Sequence, residues 1–132
     1  MSVAKVCVIE DDSATRETLC FLLAEAGYEV VSADNGSDGR ALLEASDAPM
    51  VVLLDFWLPG LSGGDILNLW VNDGSLRKRH IFILLSGSTQ AIVEACGEAI
   101  SAMSVHVIAK PFDVDELAQA VRRAEHKLQS AS

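Results

Sequence analysis

The sequence predicts an α/β domain of (βα)5 type, built on a doubly wound, open parallel sheet. Five short runs rich in aliphatic and β-branched residues alternate with longer segments that have helical periodicity. At least three of these runs are apolar on both faces, which is typical of parallel strands covered by helices on both sides. The length of 132 residues suits one such domain and leaves no room for a second of similar size.

The predicted strands occupy residues 5–9, 29–32, 50–54, 80–85 and 105–109. Helical segments between them indicate right-handed crossovers between parallel strands. The longest unbroken apolar stretches contain five residues each, whereas a helix that crosses a bilayer needs about 20. We therefore expect no transmembrane helix.

The predicted helices occupy residues 13–26, 37–45, 62–71 and 89–103, and a last helix follows Asp113. Gly27 suits the left-handed C-cap of the first helix. Asn35-Gly36 forms the turn that opens the second. Asp113 and Glu116 resemble a capping box, and apolar residues at helical spacing continue from there to residue 128.

The net charge limits the kinds of partner that this domain can bind, and the C-terminal residues set its expected boundary. Ten Lys and Arg against nineteen Asp and Glu give a net charge of −9. Because an acidic surface repels phosphate backbones and anionic lipid, neither a nucleic-acid partner nor a membrane partner is expected. Residues 1–128 are expected to form the domain, and residues 129–132 a frayed C-terminal tail.

The start of the chain and the cysteines predict a cytoplasmic location. The first residues lack a basic segment followed by a long apolar one, so they do not resemble a secretion signal. The three cysteines are scattered, and each lies within an apolar pattern: Cys7, Cys20 and Cys96. We expect them to be reduced thiols in the core rather than redox or metal-binding residues.

Polar residues follow four of the five predicted strands. They are Glu10-Asp11-Asp12 after the first, Asp55 after the third, Ser86 after the fourth and Lys110 after the fifth. In a doubly wound sheet, ligands bind at the carboxyl ends of the strands. Carboxylates brought together there repel one another unless a cation joins them, and Mg²⁺ prefers such oxygen ligands.

Each acidic group also has a purely structural interpretation. The triplet at residues 10–12 would cap the first helix, where negative charge favours the helix dipole. Asp55 would be an N-cap or a salt-bridge partner. It lies between two apolar stretches, however, and a buried carboxylate is tolerated when it is paired or bound to a metal. The presence of Lys110 at another strand end, together with Asp55 and the acidic triplet, favours a functional site over these structural interpretations.

Four segments carry a family resemblance: VIEDD at residues 8–12, DFWLPGLSG at 55–63, LLSG at 84–87 and KPF at 110–112. Each segment follows or ends a predicted strand. Together they resemble the receiver domain of two-component response regulators, over about residues 5–128. The resemblance implies a flavodoxin-like sheet with strand order 2-1-3-4-5.

The resemblance also implies the residues that handle a phosphoryl group. Asp55 would be the phosphoacceptor, attacking the phosphohistidine of a sensor histidine kinase or a histidine phosphotransfer protein. Ser86 would donate a hydrogen bond to one phosphoryl oxygen, and Lys110 would pair with another. A cis bond before Pro111 would direct Lys110 inward. Phosphoryl transfer depends mainly on alignment and charge neutralisation, so no histidine of this chain is needed.

The implied cofactor is Mg²⁺, with Mn²⁺ as a second candidate. Asp11 and Asp55 would bind the ion directly. Glu10 would bind it directly or through water, because Asp is usual at that position and Glu is one methylene longer. The backbone carbonyl of Trp57 would complete the protein ligands.

Other positions bear on the output of the domain. Ser86 stands where Thr is common, and Val107 stands where the family carries a switch aromatic, so another packing change would transmit the signal. A downstream effector would read the face formed by the predicted helix at 89–103, the fifth strand and the last helix. The same face is a candidate homodimer interface.

Two alternative functions stay open. Val107 and Glu10 also suit a degenerate receiver that acts as a constitutive interaction module. An Asp-nucleophile phosphatase usually carries a second acid two residues beyond the nucleophile, where this chain has Trp57. The expected class is a signalling domain with limited autophosphorylation and autodephosphorylation, not a turnover enzyme. Trp57 itself would either shield the acyl phosphate from water or dock a partner.

Overall fold

The elements that the structure describes occur in the predicted order along the chain. A computed structural model describes residues 4–58, 79–87, 97, 100 and 105–130. The helix predicted at 62–71, the helix predicted at 89–103 apart from residues 97 and 100, and the thiol of Cys96 lie outside these residues. The described strands and helices are β1 (Lys5–Ile9), α1 (Ser13–Glu25), β2 (Glu29–Ala33), α2 (Gly36–Ala45), β3 (Met50–Asp55), β4 (Ile81–Ser86), β5 (His106–Ala109) and α3 (Val114–Ser130).

The five strands form one parallel sheet in the order β2-β1-β3-β4-β5, which confirms the predicted topology. β1 lies between β2 and β3, with Ile9 opposite both Ala33 and Leu54. On the other side of β3, Asp55 lies opposite Leu85. The carboxyl ends of neighbouring strands therefore meet at one edge of the sheet.

Three strands, β2, β3 and β4, extend one residue further than predicted. Asp55 and Ser86 are the last residues of β3 and β4, rather than the first residues beyond them. Ladder hydrogen bonds join backbone groups, so a polar side chain does not end the pairing. Asp55 and Ser86 are thus fixed by the sheet itself.

Alternate residues of the central strands pack on opposite faces of the sheet. One face includes Val52 and Leu54 and is covered by Leu43 of α2. The other includes Val51 and Leu53 and is covered by α1 and α3. Both faces of β3 are fully buried, as the unbroken apolar run predicts. No helix among the described residues has the length and apolar character to cross a membrane.

The predicted caps are present. Gly27 follows α1 with a φ of +97°, a conformation that glycine adopts without strain. The Asn35 side chain accepts a hydrogen bond from Asp38 N at 2.8 Å at the start of α2. Asp113 Oδ1 accepts one from Asp115 N at 2.7 Å at the start of α3.

α3 extends two residues into the segment predicted as the C-terminal tail. Residues 129 and 130 continue the helix. No glycine or proline interrupts this segment, and Leu128 packs against the core beneath α1 and α3, so the last turn stays helical.

His80 joins α2 to β3 at the end of the sheet opposite the acidic residues. It is 2% exposed. Its Nδ1 accepts a hydrogen bond from Met50 N at 3.1 Å, and its Nε2 lies 3.1 Å from the Leu43 carbonyl, to which it donates. Burial lowers the pKa of His80. A neutral imidazole that satisfies two backbone groups has a structural role.

Candidate functional site

Three carboxylates converge at the carboxyl ends of β1 and β3. Glu10 directly follows β1 and is fully buried, Asp55 ends β3 and is 6% exposed, and Asp11 is exposed. One oxygen from each of the three carboxylates lies within 4.8 Å of the others. The structure therefore brings together the acidic residues that the sequence places at separate strand ends.

Lys110 reaches the same cluster from β5. Its backbone N donates to the Ser86 carbonyl at 2.7 Å, which continues the pairing of β4 with β5. Its Nζ forms an ion pair with Glu10 Oε1 and lies 3.7 Å from Asp55 Oδ2. The bond between Lys110 and Pro111 is cis, as expected. One ammonium group thus faces two buried carboxylates.

The segment after β3 also contacts the cluster. Trp57 N donates a hydrogen bond to Asp55 Oδ1 at 3.1 Å. The Trp57 ring is 47% exposed and meets the buried Phe56 ring edge to face, with centroids 4.9 Å apart. Ser86 is fully buried at the end of β4, the strand paired with β3.

Asp12 has a different role from its two acidic neighbours. Its Oδ2 accepts hydrogen bonds from Thr15 N at 2.9 Å and from Thr15 Oγ1 at 2.6 Å. These two bonds are the main reason that the pKa of Asp12 is lowered. The capping interpretation of the acidic triplet therefore holds for Asp12, whereas the carboxylates of Glu10 and Asp11 join the cluster.

Arg16 also contacts the acidic segment, although nothing in the sequence indicates this contact. It lies on α1, and its Nη1 donates a hydrogen bond to the backbone carbonyl of Glu10 at 3.0 Å. A lone arginine in the first turns of an amphipathic helix resembles an ordinary surface residue in the sequence. Only the path of the turn between β1 and α1 shows that its guanidinium contacts the acidic segment.

The electrostatics of the cluster oppose ionisation of Asp55. Burial raises its pKa to about 7, and the neighbouring Glu10 adds to this, while the Trp57 N–H and Lys110 act in the opposite direction. Burial also acts to raise the pKa of Glu10, but its hydrogen bonds with Asp55 and Lys110 outweigh this and lower it. A single ammonium group does not fully neutralise the site.

The donor set fits a hard divalent cation. Three carboxylate oxygens lie within 4.8 Å of one another, and two of the carboxylates are buried. Oxygen ligands of this kind suit Mg²⁺, which binds a few carboxylates and retains waters. A divalent ion would also offset the burial and the proximity of Glu10 that together raise the pKa of Asp55.

Val107 lies in β5, where the resemblance leads one to expect an aromatic residue. Its side chain is half-buried and packs against the core cluster beneath α2, with Phe82 and Leu84 of β4. A small aliphatic group at this position fills core space and offers no ring to move between two positions.

Curated relatives match most of the chain. It is 32% identical, over 96% of its length, to the cell cycle transcriptional regulator CtrA of Caulobacter vibrioides, and 32% identical, over 90%, to the DNA-binding transcriptional regulator NtrC of Salmonella typhimurium. The chain spans 54% of CtrA and 24% of NtrC, so it corresponds to only part of each protein.

Solved structures and a family model match the same region. A response regulator receiver domain protein from Clostridium thermocellum superposes with a TM-score of 0.83 at 27% identity, covering 98% of this chain and 100% of that chain. The chemotaxis response regulator CheY4 of Vibrio cholerae gives 0.76 at 25% identity, covering 93% and 99%. The model of the response regulator receiver domain matches residues 6–122. With the sheet order, the acidic cluster and these matches in agreement, the chain belongs to the response regulator receiver domain family.

Proposed function

We propose that Asp55 is the residue of this receiver that accepts a phosphoryl group, in a reaction that requires a divalent cation. Receiver domains are the phosphoacceptor signalling domains of two-component systems. The observation that carries the proposal is the position of Asp55, which is buried at the end of β3, within 4.8 Å of the Glu10 and Asp11 oxygens and 3.7 Å from Lys110 Nζ.

The proposed step is a direct transfer from a phosphohistidine. An Asp55 carboxylate oxygen forms a bond to phosphorus as the bond from phosphorus to the imidazole nitrogen breaks, and the electron pair of that bond stays on the nitrogen. Lys110 leaves Glu10 and pairs with a phosphoryl oxygen, which is a short movement because its Nζ already lies 3.7 Å from Asp55. Ser86 donates its hydroxyl hydrogen to another phosphoryl oxygen.

The proposed metal ligands are the carboxylates of Glu10, Asp11 and Asp55 and the carbonyl of Trp57. When bound, Mg²⁺ would neutralise charge on the phosphoryl oxygens during transfer. Mn²⁺ takes oxygen ligands too and is the second candidate. Glu10 has its two oxygens engaged, one by Lys110 and one by Asp12 N at 3.4 Å, so we propose that it binds the ion only after Lys110 has moved or through water.

We propose that residues 1–128 form a cytoplasmic signalling module and that residues 129–132 are its C-terminal tail. Its phosphodonor would be a sensor histidine kinase or a histidine phosphotransfer protein, and a downstream effector would read its state. The net charge of −9 disfavours direct nucleic-acid binding by this domain. β5 and α3 form part of the proposed output face, which is also the proposed homodimer face. The remaining part of that face, the helix predicted at 89–103, lies outside the described residues except for residues 97 and 100.

The test is incubation of the purified domain with acetyl phosphate and Mg²⁺, followed by intact-mass measurement. We expect the mass of one phosphoryl group to be added, hydroxylamine to remove it as expected for an acyl phosphate, and EDTA to prevent its addition. Peptide mapping should place it on Asp55. A domain that binds Mg²⁺ but takes no phosphoryl group would be a degenerate receiver, and continuous rapid phosphate release would indicate a phosphatase.

Trp57 provides a second prediction. The backbone N of Trp57 donates a hydrogen bond to the Asp55 carboxylate, and the Trp57 ring is exposed. The ring is therefore placed to limit the access of water to an acyl phosphate on Asp55. We expect Trp57→Ala to shorten the half-life of the phosphorylated domain several-fold without preventing its formation. The exposed Phe21→Ala, on α1, is the matched control. An unchanged half-life in Trp57→Ala would favour the alternative, a ring that docks a partner.

A further inference from the structure

Arg16 bonds the acidic turn on both sides of Asp11. Its Nη1 donates to the Glu10 carbonyl at 3.0 Å, and its backbone N donates to the Asp12 carbonyl at 2.9 Å. The second bond is the ordinary first bond of an α-helix, but the first comes from the side chain and reaches back across the turn. Arg16 itself is half-buried, so this contact is partly shielded from water.

The Asp11 carboxylate depends on the backbone of this turn for its direction. Among the described residues, no donor forms a hydrogen bond with it. Glu10, by contrast, is held by Lys110 and by its backbone bond to Ala33. The peptide unit between Glu10 and Asp11 is planar, so a bond that fixes the Glu10 carbonyl also fixes the orientation of Asp11 N and Cα.

We infer that Arg16 is a positioning residue for the divalent-cation site, because it holds the Glu10 carbonyl and thereby directs the Asp11 carboxylate toward Asp55. The inference rests on the proposed function, since it concerns the same site. It goes beyond that function by assigning a role in cation affinity to a cationic side chain that is not itself a ligand.

The charge of Arg16 and its positioning bond have opposite effects on the affinity for Mg²⁺, which makes the inference testable. The Arg16 guanidinium is bonded to the turn that carries Glu10 and Asp11 and would repel an incoming cation, so loss of its charge alone would strengthen Mg²⁺ binding. Loss of the positioning bond would weaken it. Residues that orient metal ligands typically change affinity by about 10- to 100-fold when they are removed.

The experiment is a calorimetric titration of the purified domain with Mg²⁺, without a phosphodonor. We expect Arg16→Met to raise the Kd for Mg²⁺ by about tenfold. We expect Arg16→Lys to raise the Kd at least as much as Arg16→Met does, because Lys keeps the charge that repels the cation but lacks the planar guanidinium that holds the Glu10 carbonyl. Arg123→Met removes the same charge from an exposed position on α3 and should leave the Kd unchanged.

A second readout separates positioning from general damage to the fold. At saturating Mg²⁺, Arg16→Met should take a phosphoryl group from acetyl phosphate at close to the wild-type rate. An unchanged or lower Kd, or a lower Tm with an unchanged Kd, would overturn the inference. If Arg16→Met does not fold, Arg16→Gln is titrated instead, with the same expected increase.

The result can be distinguished from a failure of the proposed function. A wild-type domain that binds Mg²⁺ but is not phosphorylated contradicts the function and leaves the effect of Arg16 on the Kd measurable. A phosphorylated domain whose Kd is insensitive to Arg16 contradicts only the inference. A wild-type domain that does not bind Mg²⁺ contradicts both.

Discussion

Replacement of Asp55 with Asn is expected to abolish phosphorylation of the domain. Asn keeps the size of the side chain, and its amide oxygen can still accept the hydrogen bond from Trp57 N. It has no anionic oxygen, however, and so cannot attack phosphorus. We expect the initial rate with acetyl phosphate and Mg²⁺ to fall by at least roughly 10³-fold, as is typical when a nucleophile is removed.

The matched control is Asp47→Asn, in the exposed connection between α2 and β3. It makes the same chemical change away from the cluster and should leave the rate unchanged. Intact-mass spectrometry at equal Mg²⁺ concentrations and reaction times measures all three proteins. Phosphorylation of the Asp55→Asn protein at the wild-type rate would show that another residue is the acceptor.

The fold was predictable because its strands carry strong local signals. The run at residues 50–54 is apolar on both faces, and only a strand covered on both sides buries it completely. The ends of the strands were less predictable. Asp55 stays in the ladder opposite Leu85, because backbone pairing does not depend on side-chain polarity.

The members of the site were also predictable, but their individual roles were not. Three consecutive acidic residues look equivalent in the sequence. The structure separates a buried Glu10, an exposed Asp11 and a helix-capping Asp12, because the turn directs each side chain differently. The ion pair of Glu10 with Lys110 joins residues 100 positions apart, so no local pattern indicates it.

The resemblance named the ligands of a cation but not the groups that orient them. The bond from Arg16 to the Glu10 carbonyl depends on how α1 leaves the acidic turn. Conformations of short connections are the least constrained by hydrophobic patterning, since they bury few apolar side chains. Positioning residues at such a site therefore have to be found in the structure.

The second large effect expected is on stability in the absence of a divalent cation. Burial, assisted by Glu10, raises the pKa of Asp55 to about 7, far above the value of 3.8 expected for the unfolded chain. At pH 8 the folded domain therefore holds an ionised carboxylate in surroundings that disfavour its charge. We expect Asp55→Asn to raise the free energy of unfolding by about 2 kcal/mol in EDTA at pH 8, which raises Tm by several degrees.

Mg²⁺ should raise the Tm of the wild-type domain at pH 8 by a similar amount. An ion that binds only the folded state stabilises it, and here the ion also offsets the carboxylate charges. Asp55→Asn lacks one ligand, so its Tm should respond much less to Mg²⁺. The exposed Asp47→Asn should behave as wild type does in both conditions. Thermal unfolding with EDTA and with Mg²⁺ measures these differences.

The pH dependence tests the cause of this effect. A group whose pKa is raised on folding binds its proton more tightly in the folded state, so the stability that it contributes is lost as the pH rises from about 4 through 7. The advantage of Asp55→Asn over wild type in EDTA should therefore be largest at pH 8 and shrink toward pH 5, where Asp55 is protonated. A variant less stable than wild type at pH 8 would mean that attraction to Lys110 outweighs burial and the repulsion from Glu10. In that case the metal-free cluster would already be neutralised by its lysine, and Mg²⁺ would have to compete with Lys110 for the same carboxylates.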